Sequence, residues 1–250
     1  MSETEVPIPL TPVSEDWKRG LAIVAHPDDL EFGAAAAIAR WTGQGKQIAY
    51  CLVTSGEAGI DGMPPEQARR VREQEQRNSA SVVGVDELEF LGFPDGVLEY
   101  GIPLRRELAR VIRRHRPEIV ITSNFHDTWD GAVLLNQADH IATGRAVLDA
   151  VRDAANRWVF NEQLGEGLEA WGGVKEIWVA NSPASQHGVD VTETFNQGVV
   201  SLQAHDAYLR GLGSQTFVPE EFLAGLSREV GTRLGCRYGV AFEVFPLQSF

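Results

Sequence analysis

Four short apolar runs, each followed by a stretch of helical periodicity, constrain the fold of this chain more than any other feature. Leu21–Ala25, Gln47–Val53, Glu87–Leu91 and Glu118–Ser123 have the length of buried strands. Between and after them, Glu31–Trp41, Glu66–Val83, Leu104–His115 and Asn136–Ala154 read as helices. Pro64 and Pro65 suit the first turn of the second helix, and Gly84 suits its end. Further on, Glu176–Ala180 and Val189–Thr192 read as extended, Phe195–Leu212 and Pro219–Leu234 as helical, and Tyr238–Phe245 as a late strand. Strands alternating with helices predict an α/β chain: one Rossmann-like domain with a mostly parallel sheet flanked by helices. Residues 1–18, polar and proline-bearing, read as an N-terminal tail, and residues 19–250 as the domain.

Composition narrows the function. The formal net charge of −13 leaves no basic footprint for nucleic acid and no attraction to an anionic membrane surface. The two cysteines, Cys51 and Cys236, are far apart and form no C-x-x-C pair, which excludes a disulfide scaffold and a thiolate metal site. No apolar run has the length of a membrane span, and the acidic N-terminus lacks a signal-peptide pattern. These features predict a cytoplasmic protein without membrane insertion. The late helices offer surface either to the core or to a homo-oligomer.

In open parallel sheets the functional loops leave the carboxyl ends of the strands. His26-Pro27-Asp28-Asp29 occupies such a position after Leu21–Ala25. Two adjacent carboxylates beside an imidazole repel one another unless a cation compensates them. The same four residues also suit a capped turn before a helix, since Asp is a favoured N-cap. Asn136-Gln137-Ala138-Asp139-His140, after the loop that follows Glu118–Ser123, supplies a second imidazole at another sheet end. His26, Asp29 and His140 together make a two-histidine, one-carboxylate set. That set binds Zn2+ with positions left open, and Fe2+ accepts the same ligand type.

Ala25-His26-Pro27-Asp28-Asp29, followed by Glu31-Phe32-Gly33, resembles the signature of the LmbE-like/PIG-L de-N-acetylases, metal-dependent enzymes that remove acetyl groups from N-acetylglucosaminides. Arg72-x-x-Glu75, Phe93-Pro94-Asp95-Gly96, Asp139-His140, Val189-Asp190-Val191-Thr192 and Ala204-His205 are similar to later parts of the family pattern, in the same order. The resemblance implies that His26, Asp29 and His140 hold the metal and that Asp28 is the general base. It implies a small amino-sugar conjugate as substrate, with Arg72 and Asp95 touching it. Trp129, in the Asn124–Leu135 loop, is a candidate to stack on a sugar face.

One position departs from the pattern. Relatives often carry His-x-Asp-His in the late motif, and Gln137 stands where the first histidine is expected. An amide donates a hydrogen bond to a developing oxyanion but brings neither charge nor proton. Asp139, without that partner, is expected to orient His140, while His126 and His187 are candidates to replace the missing imidazole. Two other readings compete with deacetylation: another single-metal hydrolase, such as an amidohydrolase or phosphoesterase, and a non-catalytic sugar-binding protein. The phosphoesterase usually needs a second metal, and the binding protein has no need of Asp28.

Overall fold

The computed structural model describes residues 8–212 and 217–247. In chain order the elements are β1 (Thr11–Pro12), β2 (Arg19–Val24), α1 (Ala35–Gly43), β3 (Gln47–Leu52), α2 (Pro65–Val82), β4 (Glu87–Phe90), α3 (Ile102–His115) and β5 (Ile119–Ser123). They continue with α4 (Ala138–Ala155), α5 (Glu162–Gly165), β6 (Glu176–Ala180), β7 (His187–Asp190), α6 (Phe195–Gln203), α7 (Asp206–Gly211), α8 (Pro219–Leu234) and β8 (Gly239–Pro246). The eight strands form one sheet in the order β1-β7-β8-β6-β5-β2-β3-β4. Every pairing is parallel except those of β8, which runs antiparallel to both β6 and β7. The expected α/β sheet flanked by helices is the fold.

Strand periodicity divides the core. On β2, Ala22 and Val24 face the layer that includes α1, α6 and α8. Leu21 and Ile23 face the opposite layer, with α3 and α4. Because both faces are covered, the central strands read as continuous apolar runs rather than as alternating ones. The chain passes outward from β2 through β3 to β4, then returns to place β5 on the other side of β2. The crevice at the carboxyl ends of β2 and β5 is therefore a topological switch point, the usual binding position in such sheets. His26 follows β2, and the loop leading to His140 follows β5.

Three local expectations change. The helix expected from Glu31 begins only at Ala35, because Asp28–Ala34 winds through tight turns: the Asp28 carbonyl accepts the N–H groups of Glu31 and Phe32 at 2.9 and 3.1 Å. The single helix expected over Phe195–Leu212 is broken into α6 and α7 at Ala204 and His205, where His205 is fully buried and the Glu75 carboxylate accepts the Ala207 N–H. The tail reading of residues 1–18 is corrected in its second half, while residues 1–7 lie outside the described residues. β1 pairs with β7, and Leu10, Val13 and Trp17 are buried. Trp17 meets Trp41 and Trp178 edge-on, with ring centroids 5.4 and 5.8 Å apart. The apolar residues of this stretch are spaced too sparsely to register as an element by themselves.

Glu15 pins that segment to α1. Its two carboxylate oxygens accept from Arg40 Nε and Nη2 at 2.9 Å each, and one also accepts from Trp41 Nε1 at 2.8 Å. The hydrogen bonds from Arg40 lower the Glu15 pKa against the opposing effect of partial burial. A carboxyl depressed in the folded state stabilises the fold above its ordinary value of 4.5 and loses that contribution as pH falls through the folded value. Glu15→Ala is expected to lower the urea-unfolding free energy by about 1–2 kcal/mol at neutral pH. The gap between the two proteins should narrow progressively below pH 4.5; a gap independent of pH would show that the ion pair contributes nothing.

Candidate metal centre

His26, Asp28 and Asp29 leave β2 at the base of a cleft of about 1190 Å3. The turn is strained: Asp28 has a φ of 94°, in the left-handed region that non-glycine residues avoid. Such a conformation costs on the order of 1–3 kcal/mol and persists only where its surroundings enforce it. Here the Asp28 N–H donates to Gln76 Oε1 at 3.0 Å, and its carboxylate pairs with Arg72 Nη2 at 3.2 Å. The strain presents the carboxylates of Asp28 and Asp29 separately instead of letting them lie along one helix face.

Asp29 joins the two histidines. His140 Nε2 lies 3.0 Å from Asp29 Oδ1 and 3.2 Å from His26 Nδ1. The His26 Nδ1 to Asp29 Oδ1 distance is 3.8 Å. The second Asp29 oxygen accepts the His26 backbone N–H at 2.9 Å. Two imidazole nitrogens and one carboxylate oxygen thus converge on one point, nearly free of solvent, as a donor set for a divalent ion. Burial alone would raise the Asp29 carboxyl; the imidazoles of His140 and His26 beside it overcome that and hold it far below the usual range. Burial pushes Asp28 the other way, to about 6, against the pull of Arg72. One Asp28 oxygen, Oδ2, is buried without a partner. An orphaned acceptor beside a convergent donor set fits a site built to receive an ion and a polar reactant.

A second cluster, His26 with Asp95 and Asp139, shares the same imidazole. His26 Nε2 is 3.0 Å from Asp95 Oδ1 and 3.3 Å from Asp139 Oδ2. Asp139 also accepts the N–H groups of Gly96 and Leu98 at 2.7 and 3.0 Å, and Asp95 accepts the Ala58 N–H at 2.7 Å. Their lone pairs are engaged with protein donors, so this cluster serves His26 rather than a second ion. A carboxylate on the far nitrogen of a ligating imidazole fixes its tautomer and raises its basicity. Burial alone would lower the His26 pKa; the carboxylates of Asp139, Asp29 and Asp95 reverse this and hold it well above the ordinary value.

The structure redistributes several expected roles. Asp139 orients His26, not His140; the His140 Nδ1 partner is Asn136 Oδ1, at 2.9 Å. The Asp95 carboxylate, expected to meet sugar hydroxyls, is engaged by His26 and Ala58. Arg72, expected to grip substrate, is 2% exposed. Its guanidinium reaches Asp28, donates to the carbonyls of Pro27 and Gly56, and lies 4.1 Å from the centroid of the Tyr208 ring. A Cβ on Gly56 or Gly59 would come within 2.2 or 2.3 Å of Arg72 Nη1. Gly56 and Gly59 of the Thr54–Gly62 loop therefore make room for this arginine.

Trp129 stands edge-on to His140, with ring centroids 5.3 Å apart, and lines the cleft. Gln137 is exposed at the N-terminus of α4 and also lines it. His126 turns away to Glu243, at 2.7 Å, and neither it nor His187 borders the cleft. A buried polar network lies beneath the base. Gln76 Nε2 donates to Glu31 Oε1 at 2.9 Å, and Ser79 Oγ donates to the same oxygen at 2.6 Å. His205, from between α6 and α7, approaches Glu31 Oε2 at 3.5 Å. Sequence reasoning misses Gln76 and Ser79, which sit in a helical pattern where nothing in the spacing distinguishes them from surface residues; Glu31 and His205 stand in segments that resemble the family pattern.

The pattern of the PIG-L family, described as GlcNAc-PI de-N-acetylase, matches residues 21–151, just over half of the chain. The chain belongs to the PIG-L family. It is 25% identical over 233 residues to a diacetylchitobiose deacetylase of Thermococcus kodakarensis, covering 92% of this chain and 84% of that protein. It is 32% identical over 138 residues to a probable N-acetyl-alpha-D-glucosaminyl L-malate deacetylase 2 of Bacillus anthracis, a match spanning 52% of this chain and 58% of the relative. The fold is similar to the structure of N,N'-diacetylchitobiose deacetylase from Pyrococcus horikoshii, with a TM-score of 0.82, 24% identity, and coverage of 93% and 85% of the two chains. The matched residues 21–151 contain both halves of the donor set, from His26 to His140.

Asn136→Ala is expected to weaken Zn2+ binding about tenfold or more, because it removes the acceptor that fixes the His140 ring. Titration calorimetry on EDTA-stripped protein measures this. An unchanged affinity would show that packing against Trp129 suffices to hold the imidazole.

Proposed function

We propose that this chain is a Zn2+-dependent N-deacetylase, a hydrolase of linear amides acting on a small amino-sugar conjugate of the N-acetylglucosamine type. The observation that carries the reading is the orphaned, buried Asp28 Oδ2 beside the convergent nitrogens and oxygen of His26, His140 and Asp29. A sugar-binding protein has no use for a strained, partly unsatisfied carboxylate there. Membership of the PIG-L family and the names of the relatives support the choice of amide and of amino sugar.

In this reading His26, Asp29 and His140 hold the ion. A bound divalent ion polarises the amide carbonyl and acidifies the attacking water. The donor set also accepts Fe2+. Asp28, as general base, takes a proton from the water whose oxygen adds to the acetyl carbon, and Arg72 keeps the carboxylate aimed. As the C–N bond breaks, Asp28 returns that proton to the departing amine, leaving acetate and the free amino sugar. The Gln137 amide is the nearest analogue of the missing histidine and donates to the developing oxyanion without supplying charge. Trp129 screens the His140 side of the cleft and offers a face to the sugar ring. Among the described residues no helix is long and apolar enough to cross a membrane, in keeping with action on a dissolved substrate in the cytoplasm.

Asp28→Ala should lower acetate release from N,N'-diacetylchitobiose by about 10²–10⁴-fold while retaining one Zn2+ per chain. Elemental analysis beside an acetate assay reads both. Turnover at the wild-type rate in Asp28→Ala, or in metal-stripped protein, would overturn the reading.

A further inference from the structure

Arg72 and Gln76 lie one helical turn apart on α2, so both project from its buried face, alongside Ala68 and Ser79. That face meets the Pro27–Asp28 peptide at both of its polar ends. Arg72 Nη2 donates to the Pro27 carbonyl, and the Asp28 N–H donates to Gln76 Oε1 at 3.0 Å. A peptide unit is planar, so holding its carbonyl and its N–H together sets ψ of Pro27 and φ of Asp28. The φ of 94° at Asp28 is the torsion held in this way. The same guanidinium pairs with Asp28 Oδ1 at 3.2 Å, so one helix face grips both the backbone and the side chain of this residue.

Gln76 can do this with its amide only one way round. The two ends of the amide are alike in shape, but one accepts and the other donates. The Asp28 N–H requires the oxygen, and Glu31 requires the nitrogen. Glu31 Oε1 accepts from Gln76 Nε2 at 2.9 Å and from Ser79 Oγ at 2.6 Å. A flipped amide would set N–H against N–H and oxygen against carboxylate. Gln76 and Glu31 are 0% and 2% exposed, so solvent cannot relieve either mismatch.

We propose that Gln76 is a positioning residue for the general base: with Arg72 it clamps the Pro27–Asp28 peptide, and Glu31 sets the polarity of its amide. The assignment rests on the reading of Asp28 as the base. Gln76 itself is fully buried and does not border the cleft, so it has no direct part in substrate affinity. Without the clamp, Asp28 relaxes from its strained φ toward an ordinary turn and carries its carboxylate away from Asp29 and the two imidazoles. The loss therefore falls on kcat and not on KM.

Gln76→Met keeps the length of the side chain and removes both hydrogen bonds. It should lower kcat for acetate release from N,N'-diacetylchitobiose about tenfold or more, with KM within about twofold of wild type and one Zn2+ retained per chain. Gln76→Glu should lower kcat as well, because it sets two carboxylates face to face. Adding Glu31→Gln to Gln76→Glu exchanges the two groups: a donor again meets an acceptor, and position 76 still accepts the Asp28 N–H. The double variant should therefore turn over about fivefold or more faster than Gln76→Glu. Amide exchange at Asp28, followed by NMR, reads the clamp without any chemistry; Gln76→Met should speed it about tenfold or more relative to the amides of β2. Wild-type kcat in Gln76→Met, or a double variant no faster than Gln76→Glu, would overturn the positioning role and leave deacetylation standing. Unchanged exchange at Asp28 would overturn the clamp at any rate of turnover. Faster exchange in Gln76→Met, with no acetate released by wild-type protein, would support the clamp and overturn deacetylation.

Discussion

The His26 imidazole sits between two demands. On its Nδ1 side it meets Asp29 and His140; on its Nε2 side it meets Asp95 and Asp139. Burying four aspartates around one cleft is unfavourable unless each finds a partner, and most of the local structure supplies those partners. Gly96 and Leu98 offer backbone N–H groups to Asp139, Ala58 offers one to Asp95, and the His26 N–H serves Asp29. Of these four aspartates, Asp28 alone keeps a buried oxygen unmatched.

Arg72 offsets part of the Asp28 charge, and the arginine is itself held by two carbonyls, two close glycines and an aromatic ring. The strained φ of Asp28 depends on this clamp and on Gln76 beneath it. Gln76 in turn is tied through Glu31 to Ser79, and His205 approaches the same carboxylate. The segment between α6 and α7 thus reaches the base of the cleft through buried polar contacts, while residues of α8 line its wall.

Placement at the switch point explains why residues 114 positions apart meet. β2 and β5 are neighbours in the sheet because the chain winds outward to β4 and then returns. Their carboxyl ends open on the same side, and the loops that follow deliver one histidine each. Any parallel sheet of this order provides the crevice; the residues in the two loops decide what it binds.

The sequence by itself determined the alternation of strands and helices, since a strand covered on both faces must be apolar throughout. It also pointed to His26, Asp29 and His140, which stand at strand ends and whose donor atoms the fold brings together. Spacing could not reveal partnerships. Asp139 lies one residue from His140 yet serves His26, and Asn136, from the loop just before α4, faces His140 Nδ1 with its side-chain oxygen at 2.9 Å. Arg72 and Asp95 have the chemistry to hold a sugar and both border the cleft, yet their side chains are also engaged by protein partners. The sheet contribution of residues 10–18 and the break at His205 were decided by tertiary structure alone. Each depends on contacts between segments far apart in the chain, and local periodicity carries no record of what a residue will face.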